Sequence, residues 1–285
     1  MTLRRALAAV GLTTLLTAGT AVAASAVTGG QLDGDAHPSV ALIAFYDGSQ
    51  QRSRCTATLV SPMVLVTAAH CTDGTVGKVA VTFDSLVDEA PPSDLPLALD
   101  PAVGYTPGEL ADAGYLSGTA HTHPGYSHFT DKKNWNDVGV VVLDSPVTGI
   151  EPATIAPSGY LDQFTPNVLG TTFFTTVGFG TEITQAGPGP RKPTPQSYPI
   201  VRRFAVQPGQ KLTPQLLQVN GNPNDPRGTG GTCYGDSGGP AFQGGYQVTV
   251  TSYGLGSVCN NLDGLQRIDI PVVQSWLATF GVTAG

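Results

Sequence analysis

The sequence predicts an all-β protein in two halves, closed by a single helix, on three observations. Its periodic segments are short runs of β-branched or apolar residues. Charged residues make up only 12% of the 285, while Gly and Pro number 36 and 23, the balance that many short strands joined by turns require. One segment alone, near the C-terminus, carries helical punctuation. A chain of this length buries a proper core as one large domain or two small ones.

The first 26 residues stand apart. Arg4 and Arg5 precede an apolar stretch from Ala6 to Ala24, broken by Gly and Thr and ending in Ala24-Ser25-Ala26, the A-x-A pattern of a secretory signal peptide. Without a long uninterrupted apolar core it does not read as a membrane anchor, and no later segment has the length to span a bilayer. Its removal takes two positive charges from a formal charge of −7, leaving −9. A secreted mature chain starting at Val27 is expected, with no membrane association after signal removal.

In the half from 27 to 150, strands are expected at 39–46 (SVALIAFY), 56–61, 64–69, 78–83 and 138–143 (VGVVVL). In the half from 151 to 285 they are expected at 172–180, 200–206 and 246–254. The helix is expected at 271–280, with Pro271 at its start and Gly281 just past its end. Residues 84–125 and 185–199 are rich in turn formers and read as loops. The acids of the first loop match no calcium-loop spacing. His121, His123 and His128 lack a nearby Cys or carboxylate to complete a metal site, so no metal is expected. With no Lys/Arg run longer than two residues and a net negative charge, nucleic acid is not expected as a partner.

Four cysteines in a secreted chain point to disulfides. Cys55, Cys71, Cys233 and Cys259 allow three pairings, of which local closure, Cys55 with Cys71 and Cys233 with Cys259, is the simplest. Each loop then contributes about 3 kcal/mol in the chain-entropy account.

The chemistry centres on Ser237. GDSGG at 235–239 satisfies G-x-S-x-G, the nucleophile elbow of α/β-hydrolases, whose order is Ser, acid, His. All five histidines, His37, His70, His121, His123 and His128, precede Ser237, so that order has no base. Nor do the strands alternate with helices, as a parallel sheet needs. His70 closes an apolar strand in VTAAHC, and Asp137 opens the strand NDVGVVVLD, where a carboxylate can be buried while its side chain reaches a partner. His70, Asp137 and Ser237 therefore stand in the order His, Asp, Ser.

Through TAAHC (67–71), ND (136–137) and GDSGGP (235–240), with weaker echoes in VGFG (177–180), HPGY (123–126), SYG (252–254) and SWL (275–277), the chain resembles a trypsin/chymotrypsin-like secreted bacterial serine protease. The likeness spans essentially the whole mature chain. It implies two perpendicular six-stranded antiparallel β-barrels with a C-terminal helix and the site between them. His70 and Asp137 come from the first barrel and Ser237 from the second. It implies a monomeric serine endopeptidase acting on polypeptides without a cofactor. The other class to weigh is a catalytically silent binding protein on the same fold, which usually lacks one of the three residues.

The resemblance also implies roles. His70 takes the Ser237 proton and later gives it to the leaving amine, Asp137 orients the ring, and the N–H groups of Gly235 and Ser237 form the oxyanion hole. Asp236 pairs with the mature amino terminus, which signal cleavage after Ala26 would place on Val27. The substrate pocket has Gly231 at its base and Thr232, Ser252, Tyr253, Gly254 and Gly264 in its walls. With no acid at 231 an uncharged or apolar side chain is expected there rather than Arg or Lys, unless nearby Asp263 intervenes.

Overall fold

The computed structural model describes residues 29–184 and 194–285, so the expected signal peptide and Val27 lie outside the described residues. The apolar run at its first long strand is buried on both faces. In β1 (Val40–Asp47), Ala41, Ile43 and Phe45 point into one barrel with Ala57, Leu59, Leu65, Val81 and Val141. The alternate residues Val40, Leu42, Ala44 and Tyr46 pack outward against Tyr105, Leu110, Val177 and Phe179. Alternation along a strand sends neighbours to opposite faces, and with both faces covered neither set can be polar.

Five more strands complete that barrel: β2 (Arg52–Ser61), β3 (Val64–Thr67), β4 (Thr75–Thr82), β5 (Leu116–Thr122) and β6 (Gly139–Leu143). They are joined in the order β1-β2-β3-β6-β5-β4, and β4 returns to β1 in antiparallel register. The second barrel is built from β7 (Phe173–Gly178), β8 (Arg203–Leu212), β9 (Leu216–Asn220), β10 (Pro240–Gln243), β11 (Tyr246–Gly254) and β12 (Leu262–Arg267). Its order is β8-β9-β12-β11-β10-β7, closed where β7 pairs with β8. Phe174, Leu217, Val219, Ala241, Val248 and Leu265 fill its interior. The expected all-β fold of two closed six-stranded barrels is the observed one.

The helix Pro271–Ala278 starts on the expected proline. Its Val273 and Leu277, one turn apart, pack against Val64, Val66 and Val140 of the first barrel and Val250 of the second. The helix therefore bridges the two barrels.

Several elements differ from expectation. β2 begins at Arg52, and both β5 and a short helix, Pro107–Asp112, lie inside the expected loop at 84–125. Gly118 of β5 has a physical reason: a Cβ there would lie 2.5 Å from Val141 Cγ1 on the neighbouring strand. The stretch at 200–206 is split. Ile200–Val201 pairs with Leu86–Asp88, and Arg203 begins β8. Between them the buried Arg202 donates to Asp33 Oδ2 and to the carbonyls of Gly34, Val40 and Phe83. It thereby ties the segment before β1 to both barrels.

Candidate active site

His70 sits in a single helical turn, Ala69–Cys71, immediately after β3. Cys71 is bonded to Cys55 of β2, and Cys233 to Cys259, so both pairs are the local closures. Asp137 is fully buried just before β6. Its Oδ1 accepts the His70 backbone N–H at 3.0 Å, and the His70 ring approaches it through Nδ1, 2.9 Å from Oδ2. Because only carboxylate oxygens face Nδ1, that nitrogen carries the proton, and Nε2 is left as the acceptor in the neutral ring.

A third donor comes from the other barrel: Ser252 Oγ of β11 donates to Asp137 Oδ2 at 2.6 Å, and Trp135 Nε1 donates to the same hydroxyl at 2.9 Å. The Asp137 backbone N–H donates to Gln266 Oε1 of β12 at 3.1 Å. A buried carboxylate held by three hydrogen bonds has its charge satisfied where water is absent.

Ser237 lies in a turn whose glycines are sterically required. Gly238 has φ +79°, and a Cβ on it would stand 2.0 Å from Thr67 Oγ1 and 2.5 Å from the Thr56 carbonyl. Gly235 has φ +101°, left-handed backbone that a side chain disfavours. The turn is pinned by Thr56, whose N–H donates to the Ser237 carbonyl and whose hydroxyl donates to the Gly235 carbonyl. The N–H groups of Gly235 and Ser237 donate to no protein acceptor among the described residues. Two unused N–H groups beside a hydroxyl have the donor arrangement that an oxyanion needs. No hydrogen bond joins the Ser237 hydroxyl to the His70 ring in this structure, yet both side chains line the same two cavities.

Asp236 points away from these cavities, into the protein. Its carboxylate accepts the N–H groups of Gly180 and Cys233, each at 2.8 Å. A Cβ on Gly178 or Gly180 would come within 2.2 Å or 2.1 Å of it, so the two glycines of VGFG make room for this acid. Burial pushes Asp236 up to about 7, against the lowering effect of those two N–H groups and of Arg54.

The smaller cavity, of about 300 Å³, is lined by Thr232, Ser252, Tyr253, Gly254 and Phe129. Gly231 and Gly264 are not in its lining. Gly231 packs on the Gly221 backbone, and Gly264 lies under the Tyr253 ring, which a Cβ would meet at 2.1 Å. Strand alternation explains the second difference. With Tyr253 paired to Gly264 and Gly254 to Asp263, it is Asp263 that stands behind the Gly254 side of the pocket. Asp263 Oδ2 accepts from the Thr232 N–H and Gln207 Nε2, each at 2.7 Å. Burial pushes it up to about 6.

Ser252 as a partner of Asp137, together with Trp135, Gln266 and Phe129, was not legible as part of the site. In sequence Ser252 stands in SYG, which marks a pocket wall and not a partner of Asp137. The histidines at 121–128 face three different partners: His121 packs on Phe280, the buried His123 on Trp276, and His128 on Tyr126.

Two closed antiparallel barrels, with a half-buried His on a buried Asp from one and a glycine-framed serine from the other, define the chymotrypsin-like architecture. A family model described as Trypsin matches residues 30–277, and the chain belongs to that family. It is 29% identical over 210 residues to brachyurin of Leptuca pugilator, covering 72% of this chain and 77% of that one. To a trypsin of Saccharopolyspora erythraea it is 28% identical over 225 residues, covering 77% and 82%. Among solved structures, HL collagenase superposes with a TM-score of 0.59 at 16% identity, covering 88% of this chain and 96% of that one.

Proposed function

We propose that the chain is a secreted, monomeric serine endopeptidase that cleaves polypeptides through an acyl-enzyme. One observation carries the reading. His70, whose Nδ1 stands 2.9 Å from the buried Asp137 carboxylate, lines the same two cavities as Ser237, beside two N–H groups that have no acceptor among the described residues.

His70 Nε2 accepts the Ser237 proton as Oγ attacks the scissile carbonyl. Asp137 stabilises the imidazolium, and His70 then protonates the leaving amine. The Gly235 and Ser237 N–H groups hold the oxyanion, a contribution of roughly 3 to 4 kcal/mol per donor in related chemistry. Water repeats the sequence on the acyl-enzyme. A silent binding protein needs none of this protonation geometry. The test is an active-site titration with an activated ester: a burst of one leaving group per chain, followed by slow turnover, is expected, and its absence refutes an acyl-enzyme.

The acyl-side residue occupies the smaller cavity and is uncharged or apolar. Thr232, Ser252, Tyr253 and Gly254 offer it no charge, and Asp263 behind them is 2% exposed. A second reading has its own observation: Asp263 Oδ1 lies 3.5 Å from where a Gly254 Cβ would stand, so a long Lys or Arg side chain could seek it. A peptide library varied at that residue decides. Faster cleavage after Lys or Arg than after Phe or Leu selects the second reading.

Residues 1–26 act as the signal peptide, and the amine released on Val27 inserts beside Asp236. A cation there supplies what a buried carboxylate otherwise lacks. N-terminal sequencing of active secreted enzyme is expected to begin at Val27; any other start removes this part of the proposal.

A further inference from the structure

The two cavities that meet at Ser237 share only His70, Tyr234 and Ser237 in their linings. They are therefore two distinct spaces that meet at the hydroxyl. If the acyl side of a substrate fills the smaller one, as proposed above, the residues after the scissile bond run into the larger, of about 500 Å³.

One wall of that larger cavity is β2, where alternation puts Arg52 and Arg54 on the same face. Arg52 is held in place: its Nη1 donates to the carbonyls of Leu95 and Pro96 at 2.7 Å and 2.8 Å. Arg54 is not saturated. Its only hydrogen bond among the described residues runs from Nη2 to the Ser197 carbonyl at 3.1 Å, leaving most of the guanidinium fork unused. Its Nε lies 3.3 Å from where a Cβ on Gly235 would stand, so the charge borders the turn that carries Ser237.

Neither arginine has a carboxylate within 4.0 Å among the described residues. Two acids also line the cavity, but each is engaged elsewhere. Asp47 accepts from the N–H and hydroxyl of Ser49, and Asp73 faces His128 at 3.4 Å. Asp236 and Asp88 reach Arg54 only through space, and burial lowers its pKa. A partly buried guanidinium with free donors and no contact counter-ion is an incomplete ion pair. A planar carboxylate completes it in bidentate fashion.

We infer that Arg54, with Arg52 beside it, forms a carboxylate-binding subsite on the leaving-group side, which selects Asp, Glu or a terminal carboxylate within the first two residues after the scissile bond. This rests on the endopeptidase reading and adds to it a preference on the side that the smaller cavity does not govern.

The test uses internally quenched peptides with one acyl half and varied leaving halves. Glu is compared with Gln at each of the two positions in C-terminally amidated peptides, and a free C-terminal carboxylate is compared with its amide at the second position. The first comparison reports a side chain and the second a chain end. For at least one of them the ratio of kcat/KM is expected to be about tenfold in the wild type, to shrink at high salt, to fall to about one in Arg54→Gln, and to recover partly in Arg54→Lys. Because each ratio is taken within one enzyme, a general loss of activity from disturbing the Gly235 turn cancels. Equal rates in the wild type, or a preference that survives Arg54→Gln, overturn this inference and leave the hydrolase reading intact. Failure of the wild type to cleave any of the peptides overturns both.

Discussion

At the scale of single residues, the account turns on Asp137. Its carboxylate fixes the proton of His70 on Nδ1, and it is itself fixed by Ser252. Asp137→Asn removes the charge and permits the wrong ring tautomer, so turnover should fall by about 10⁴, the loss known for this change in the family's best-studied template. Thermal unfolding, followed in parallel, should show that the fold persists. Ser252→Ala leaves Trp135 Nε1 and one carboxylate oxygen each short of a partner. Loss of one charge-assisted bond predicts a fall on the order of tenfold in kcat, read in steady-state peptide hydrolysis. An unchanged kcat would show that the hydroxyl only fills space. His70, Asp137 and Ser237 were legible because each sits inside its own local motif in a fixed chain order. Ser252 and Gln266 were not, because their partner is more than a hundred residues away and nothing adjacent in sequence marks it.

At the scale of elements, legibility followed burial. Strands buried on both faces, β1 and β6, announce themselves as unbroken apolar runs. β8 and β12 carry fully buried glutamines instead, Gln207 and Gln266, both satisfied by long-range bonds such as Gln207 to Asp263. Buried polar residues interrupt an apolar run, so β12, with Asp263, Gln266 and Arg267 buried beside Leu265, carries no signal of the kind that marks β1 and β6. β10 carries a signal of another kind: Gly244-Gly245, both at positive φ, link it to β11 in a two-residue hairpin. The Ser237 turn is equally an element-level object. Gly180→Ala would drive a methyl into the Asp236 carboxylate, and overpacking of this kind costs about 1 to 3 kcal/mol. A lowered urea midpoint together with slower acylation of Ser237 is expected; retention of both would mean that the turn is softer than its contacts suggest.

At the scale of the whole molecule, the site exists only when the barrels are docked. Asp137 and His70 come from one barrel, while Ser237, Ser252 and Gln266 come from the other. Two acids buried in the second barrel add a pH signature. The folded-state values of Asp263 and Asp236 are raised from 3.8 to about 6 and about 7. For a raised acid the folded state binds the extra proton. Its stability contribution is therefore full below the unfolded value and is lost as pH climbs through the folded one. For Asp263, urea unfolding should show wild-type stability falling relative to Asp263→Asn between about pH 4 and 7. A difference that stays flat or rises over that window contradicts the burial argument. For Asp236 the same slope should appear in a chain extended ahead of Val27 and should weaken once the Val27 amine is free.

The most direct measurement is the rate at which a fluorophosphonate adds to the chain, with the modified residue located by mass spectrometry of the peptide containing residues 231–240. The wild type should be labelled once, on Ser237, with His70→Ala slower by several orders of magnitude and Asp137→Asn also slowed. Labelling elsewhere, or at the same rate without His70, would contradict the claim that these three side chains act as one unit across the groove between the barrels.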